Sequence, residues 1–127
     1  MQVLHWFERN HKITWAITII IAIVIFYISS LTFETGTKGD NNFKAMIYHI
    51  GIFFFFAFFL NMALAKAKNK SLIFISFILS ILYATTDEIH QFFVPGRNMS
   101  FSDVILDAIG IFIASTIYII TLKYDRK

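Results

Sequence analysis

Between Lys12 and Glu34 the chain carries no charged residue, and between Lys44 and Lys66 none apart from the titratable His49. A helix needs about 20 apolar residues to cross the hydrocarbon of a bilayer, so each run is long enough to span. A third run opens at Ser71 and reaches Asp87 and Glu88, and is long enough if its helix continues through Ile89, Phe92 and Phe93. The fourth extends from Asp103 to Leu122 with one internal carboxylate, Asp107. The spacing therefore predicts an all-α polytopic membrane protein, a four-helix transmembrane bundle with helices at about 13–33, 45–65, 71–93 and 103–122, forming a single domain over 1–127. The first run is expected to be retained as a helix, because it exceeds a signal-peptide apolar region in length and no small-residue cleavage site follows it.

Composition closes the alternatives. With 57% hydrophobic and 15% charged residues there is too little polar surface to keep a folded chain of this size in water. Sixteen Phe against one Pro and five Gly argue against a β-barrel, which needs many turns between short alternating strands. The absence of cysteine removes disulfides, thiolate metal sites and cysteine nucleophiles. A net charge of +3, with no basic stripe interleaved with aromatics, gives no footprint for nucleic acid.

Basic residues near helix ends predict orientation, since they resist translocation. Arg9, Lys12, Lys66, Lys68, Lys70, Lys123, Arg126 and Lys127 fall on one side; Lys38, Lys44 and Arg97 fall on the other, the first two balanced by Glu34 and Asp40. Both termini are thus expected in the cytoplasm of a plasma-membrane protein, with segment 87–103 facing outward and Trp6, Phe7 and Trp15 anchoring the inner interface.

The polar chemistry is concentrated where the third helix leaves the membrane and the fourth re-enters. On a helix Asp87, His90 and Gln91 share a face, which predicts an Asp87–His90 interaction; Glu88 faces elsewhere but stays near Gln91. Pro95-Gly96 is a turn signal, and Ser100 with Asp103 reads as a capping box opening the fourth helix. His49, at roughly 7 to 8 Å depth, and Asp107, at about 6 Å, belong to the same leaflet. Ionisable groups at such depth should face the bundle and find partners. The plainer readings are a solvated helix end for Asp87, Glu88 and Arg97, packing hydrogen bonds for His49 and His90, and a cap for Asp103. Ser29 and Ser30 could simply bond back to their own helix, and the phenylalanine-rich 53–59 stretch reads as packing and lipid-facing surface.

At these positions the chain resembles the VanZ-like family, named for a protein of glycopeptide-resistance clusters in Gram-positive bacteria. The resemblance rests on Thr86-Asp87-Glu88-Ile89-His90-Gln91, then Pro95-Gly96-Arg97, then Asp103-Val104, with Gly110 beyond. Phe26-Tyr27-Ile28-Ser29-Ser30 and the region of His49 are similar to weaker motifs of the family, so the resemblance covers essentially the whole chain. Met46 stands where the family often has Lys, and Asp107 where Asn is common, which makes this site more acidic. The resemblance implies a cell-envelope membrane protein linked to lowered susceptibility to teicoplanin and related lipoglycopeptides; it implies no particular reaction.

Three functions fit these residues. A non-catalytic envelope factor would bind membrane lipid, a lipid-linked peptidoglycan precursor or the lipoglycopeptide, using Glu88, Gln91, Arg97, Asp107 and His49, with Arg97 gripping a phosphate or carboxylate. Phe92, Phe93, Met99 and Phe101 would line its apolar side. An enzyme acting on an envelope lipid or peptidoglycan precursor would use Asp87 or His90 as general acid or base, with a divalent cation held by Asp87, Glu88, His90 or Asp107; no spacing makes metal binding specific. A proton-coupled transporter would use an Asp107–His49 relay and a homo-oligomer, since four helices make a narrow path. Polar residues confined to the outer half, Asn61 aside, weigh against transport. The envelope factor is the expectation, and the enzyme its alternative.

Overall fold

The computed structural model describes residues 2–32, 38–65 and 70–124. Its helices are α1 (Gln2–Arg9), α2 (His11–Ser29), α3 (Lys38–Ala65), α4 (Lys70–Phe92) and α5 (Phe101–Tyr124). Helices α2, α3, α4 and α5 each contain a stretch long and apolar enough to span a membrane, so the chain is an all-helical, multi-pass membrane protein. Of the residues that set the expected orientation, Lys66, Lys68, Arg126 and Lys127 lie outside the described residues, as do Glu34 and Phe33 at the end of the first apolar run.

The short α1 has no counterpart among the four apolar runs. It breaks from α2 at Asn10, whose side-chain amide donates to the Trp6 carbonyl at 2.8 Å while the Thr14 hydroxyl donates to the Phe7 carbonyl at 2.6 Å. Phe7 then packs edge-on against Phe59 at 5.6 Å, and Tyr118 of α5 donates to Glu8 at 2.9 Å. These contacts hold α1 against one end of the bundle.

Consecutive spans run in opposite directions, with α3 at the centre, in contact with every other helix, and α2 at the periphery. Apolar burial gives little drive for helix association in lipid, where close packing and interhelical hydrogen bonds take over. Small residues accordingly occupy the contacts: Ala57, Ala84 and Ala114 are fully buried, and a Cβ built on Gly110 would strike the Ile50 carbonyl oxygen. Around them pack Ile25, Phe53, Phe56, Leu60 and Ile111, while Met62, Ile73 and Tyr118 form a second cluster nearer α1. Phe53 and Phe56 thus belong to the core, whereas Phe55 faces outward.

Helix α2 presents Ile19, Ile20, Ile23, Phe26 and Tyr27 outward and turns Thr14, Thr18, Ile25 and Ser29 inward. Polar groups help tie it to α4. The Tyr83 hydroxyl donates to the Ala22 carbonyl at 2.7 Å, and Ser29 and Ser30 reach Asp87 and His90. A polar cross-tie of this kind is effective in lipid, where its groups have no water to turn to.

Candidate functional site

At the end of the bundle opposite α1, the last turn of α2, an early turn of α3, the end of α4 and the start of α5 come together. The α4–α5 connection is a tight hairpin. Gly96 has φ 80°, Pro95 precedes it, and the Arg97 N–H donates to the Val94 carbonyl at 3.1 Å. With proline at the first central position and a left-handed residue at the second, this is a type II turn, and glycine is the residue that adopts that φ without strain.

The start of α5 is capped from two sides. Ser100 Oγ accepts the Asp103 N–H at 3.3 Å, the usual N-cap bond. In a capping box the residue at Asp103 would reach back to the Ser100 N–H. That N–H is instead held by Glu88 of α4 at 2.9 Å, so the sequence-based pairing is corrected. Glu88 is 1% exposed and its other oxygen accepts from Gln91 at 3.1 Å. A carboxylate from the neighbouring helix wins because it also satisfies its own buried charge there.

Gln91 is the hub of the α4 side. Its amide nitrogen donates to Asp87 and to Glu88, both at 3.1 Å, and its carbonyl oxygen accepts from Arg97 Nε at 3.2 Å and Nη2 at 2.6 Å. The reversed amide would set its oxygen against two carboxylates and its nitrogen against a guanidinium, so the network fixes this orientation. Asp87, 5% exposed, also accepts from Ser29 at 2.6 Å.

On the α3–α5 side His49 Nδ1 lies 2.9 Å from Asp107 Oδ1, and His49 Nε2 lies 3.8 Å from Asp103 Oδ2. Asp107 is wholly buried, and its Oδ2 has no hydrogen-bond partner. Tyr48 lies edge-on to His49 at 5.6 Å and its buried hydroxyl is likewise unpartnered. One ligand atom each from His49, Glu88 and Asp103 fall within 4.8 Å of one another.

The structure thus gathers His49, Glu88, Asp103 and Asp107 at one point, with Asp87, Gln91 and Arg97 joined to them through Glu88. His90 stands apart. No hydrogen bond or ion pair links it to Asp87; instead it meets the Ser30 hydroxyl at 2.9 Å and stacks on Phe26 at 4.5 Å. The expected Asp87–His90 interaction is therefore corrected. Consecutive serines at the end of α2 capture the two side chains separately, Ser29 taking Asp87 and Ser30 taking His90. The reading of Asp87 and Glu88 as solvated is corrected by their burial, and that of Ser29 as merely self-bonded by its bond to Asp87. Ser30 does both, donating to the Phe26 carbonyl at 2.8 Å and touching His90. Tyr48 was missed by sequence reasoning, because a lone tyrosine in an apolar run has no spacing signal.

Comparison with known proteins places these features in a family. The family model described as VanZ/LLP1 matches residues 5–122, nearly the whole chain. No curated protein and no solved structure matches.

Proposed function

We propose, from the premise that the chain belongs to the VanZ/LLP1 family, that it is a cell-envelope factor binding an anionic amphiphile at its hairpin end. In this reading the hairpin faces outward, as the distribution of basic residues favours. The ligand is a lipid-linked peptidoglycan precursor or the lipid-bearing antibiotic, and binding lowers susceptibility to teicoplanin and related lipoglycopeptides. One observation carries the reading: Arg97 is oriented by two bonds to Gln91 on a hairpin whose Phe92, Phe93, Met99 and Phe101 are 66%, 75%, 52% and 73% exposed. A positioned guanidinium beside bare aromatic surface suits a phosphate or carboxylate carried on an apolar tail.

The test is protection against teicoplanin in a susceptible Gram-positive host. Arg97→Lys keeps the charge but loses the planar fork that Gln91 holds, and should abolish protection at unchanged membrane abundance. Protection retained by this variant at normal abundance would refute the assignment.

A second reading, an intramembrane acid–base enzyme acting on an envelope lipid, is favoured by the imidazole of His49 held at 2.9 Å by the buried Asp107. Conversion of a labelled lipid-linked precursor by the purified protein would select it over simple binding.

A further inference from the structure

We propose that His49, Glu88 and Asp103 bind one divalent first-row cation, with Asp107 holding His49 from behind. The inference stands apart from the amphiphile reading, since it concerns the interior of the hairpin end and not its exposed rim. It also replaces the cation ligands suggested by sequence: Glu88 remains, Asp107 moves behind the imidazole, and Asp87 and His90 drop out.

Three observations support it. The first is the donor set. One imidazole nitrogen and two carboxylate oxygens, drawn from α3, α4 and α5, fall within 4.8 Å of one another. Metal–ligand bonds of ~2.1 Å place tetrahedral ligands ~3.4 Å apart, so closing onto an ion needs a contraction of about 1.4 Å, within reach of side-chain adjustment. Both Glu88 oxygens already accept a hydrogen bond, and each carboxylate oxygen has a second lone pair.

The second is the orientation of His49. Its Nδ1 meets Asp107 at 2.9 Å, which leaves Nε2 directed at the Asp103 carboxylate, 3.8 Å away. A histidine that ligates a metal through one nitrogen commonly has the other held by a carboxylate, which fixes the tautomer and raises ligand basicity. Asp107 is in that place.

The third is charge. Asp87, Glu88, Asp103 and Asp107 bring four carboxylates to one end of the bundle, three of them buried; beside them stand Arg97, joined through Gln91, and His49, cationic if protonated. Asp107 Oδ2 in particular is buried without a partner. Buried charge must be compensated, and a dication on the far face of His49 compensates it while occupying the three-helix junction. A set of only three protein ligands, one imidazole and two carboxylates, suits Zn²⁺ or Mn²⁺ better than Ca²⁺, which takes six to eight oxygens.

The experiment uses the full chain, purified in detergent with any histidine tag removed and stripped with a chelator, then titrated with Zn²⁺, Mn²⁺ or Co²⁺ alone. The expected results are about one ion per chain, visible Co²⁺ absorption typical of low coordination with a nitrogen ligand, and a thermal midpoint that rises with ion concentration. Glu88→Gln and Asp103→Asn should each weaken binding at least tenfold, and Asp107→Asn about 10- to 100-fold through loss of the bond to His49. Glu8→Gln, at the other end of the bundle, should bind as the parent does. Asp103 is the gentlest of these changes, its side chain being 28% exposed, so it decides the matter if Glu88→Gln fails to fold. Absence of stoichiometric uptake by a wild-type chain that still melts cooperatively would overturn the site, as would undiminished affinity in Asp103→Asn.

Discussion

Replacing Gly110 by alanine tests how the bundle holds its polar end together. A Cβ at this position would meet the Ile50 carbonyl oxygen, with Ile50 C and Phe54 N both 3.1 Å away. All three are backbone atoms of α3, so no rotamer can move aside and α5 must draw back from α3. An ordinary carbon contact lies at ~3.5 Å or more, which sets the retreat at roughly 1 Å. Overpacking of this kind costs about 1–3 kcal/mol, and exchange of glycine for alanine inside a helix returns about 1 kcal/mol. A net loss of up to about 2 kcal/mol should follow. The same retreat acts on His49 and Asp107, which neighbour Ile50 and Gly110 in the same helix pair. Their 2.9 Å separation should open to about 4 Å, beyond hydrogen bonding. Denaturation in detergent micelles measures the first effect, and the NMR signal of the His49 ring proton at Nδ1 reports the second. Gly51→Ala is the control, since nothing lies within 4 Å of its Cβ; it should be neutral or stabilise by up to about 1 kcal/mol. If Gly110→Ala unfolds like the parent and keeps the hydrogen-bonded His49 signal, the close crossing of α3 and α5 is refuted.

Ser29→Ala removes the 2.6 Å donor from buried Asp87 and leaves only Gln91 on that carboxylate; a loss of about 1–3 kcal/mol is expected in the same denaturation assay, and none would mean that α2 is not pinned through this bond. For orientation, a cysteine at Asn98 in this cysteine-free chain should react with an impermeant thiol reagent in intact cells, and one at Asn69 should not; the reverse pattern would invert the proposed topology.

Hydropathy alone carried the membrane class, because a charge-free run of sufficient length has few other stable environments. The α4–α5 turn was legible for a local reason too, since Pro95 and Gly96 restrict φ whatever surrounds them. Family motifs marked Asp87, Glu88, His90, Gln91 and Arg97 as belonging together. Partner choice was not local. Helical spacing set Asp87 beside His90, yet the axial position of α2 delivered Ser29 to one and Ser30 to the other. Sequence spacing assigned the reciprocal cap of α5 to Asp103, and the approach of α4 handed it to Glu88. Depth estimates put His49 and Asp107 in one leaflet, but their contact depends on the rotation of α3 and α5 about their axes, set where Gly110 meets Ile50. Chain-local sterics and transfer from water were therefore written in the sequence, while hydrogen bonds between helices, sensitive to shifts of about 1 Å, were decided by tertiary packing.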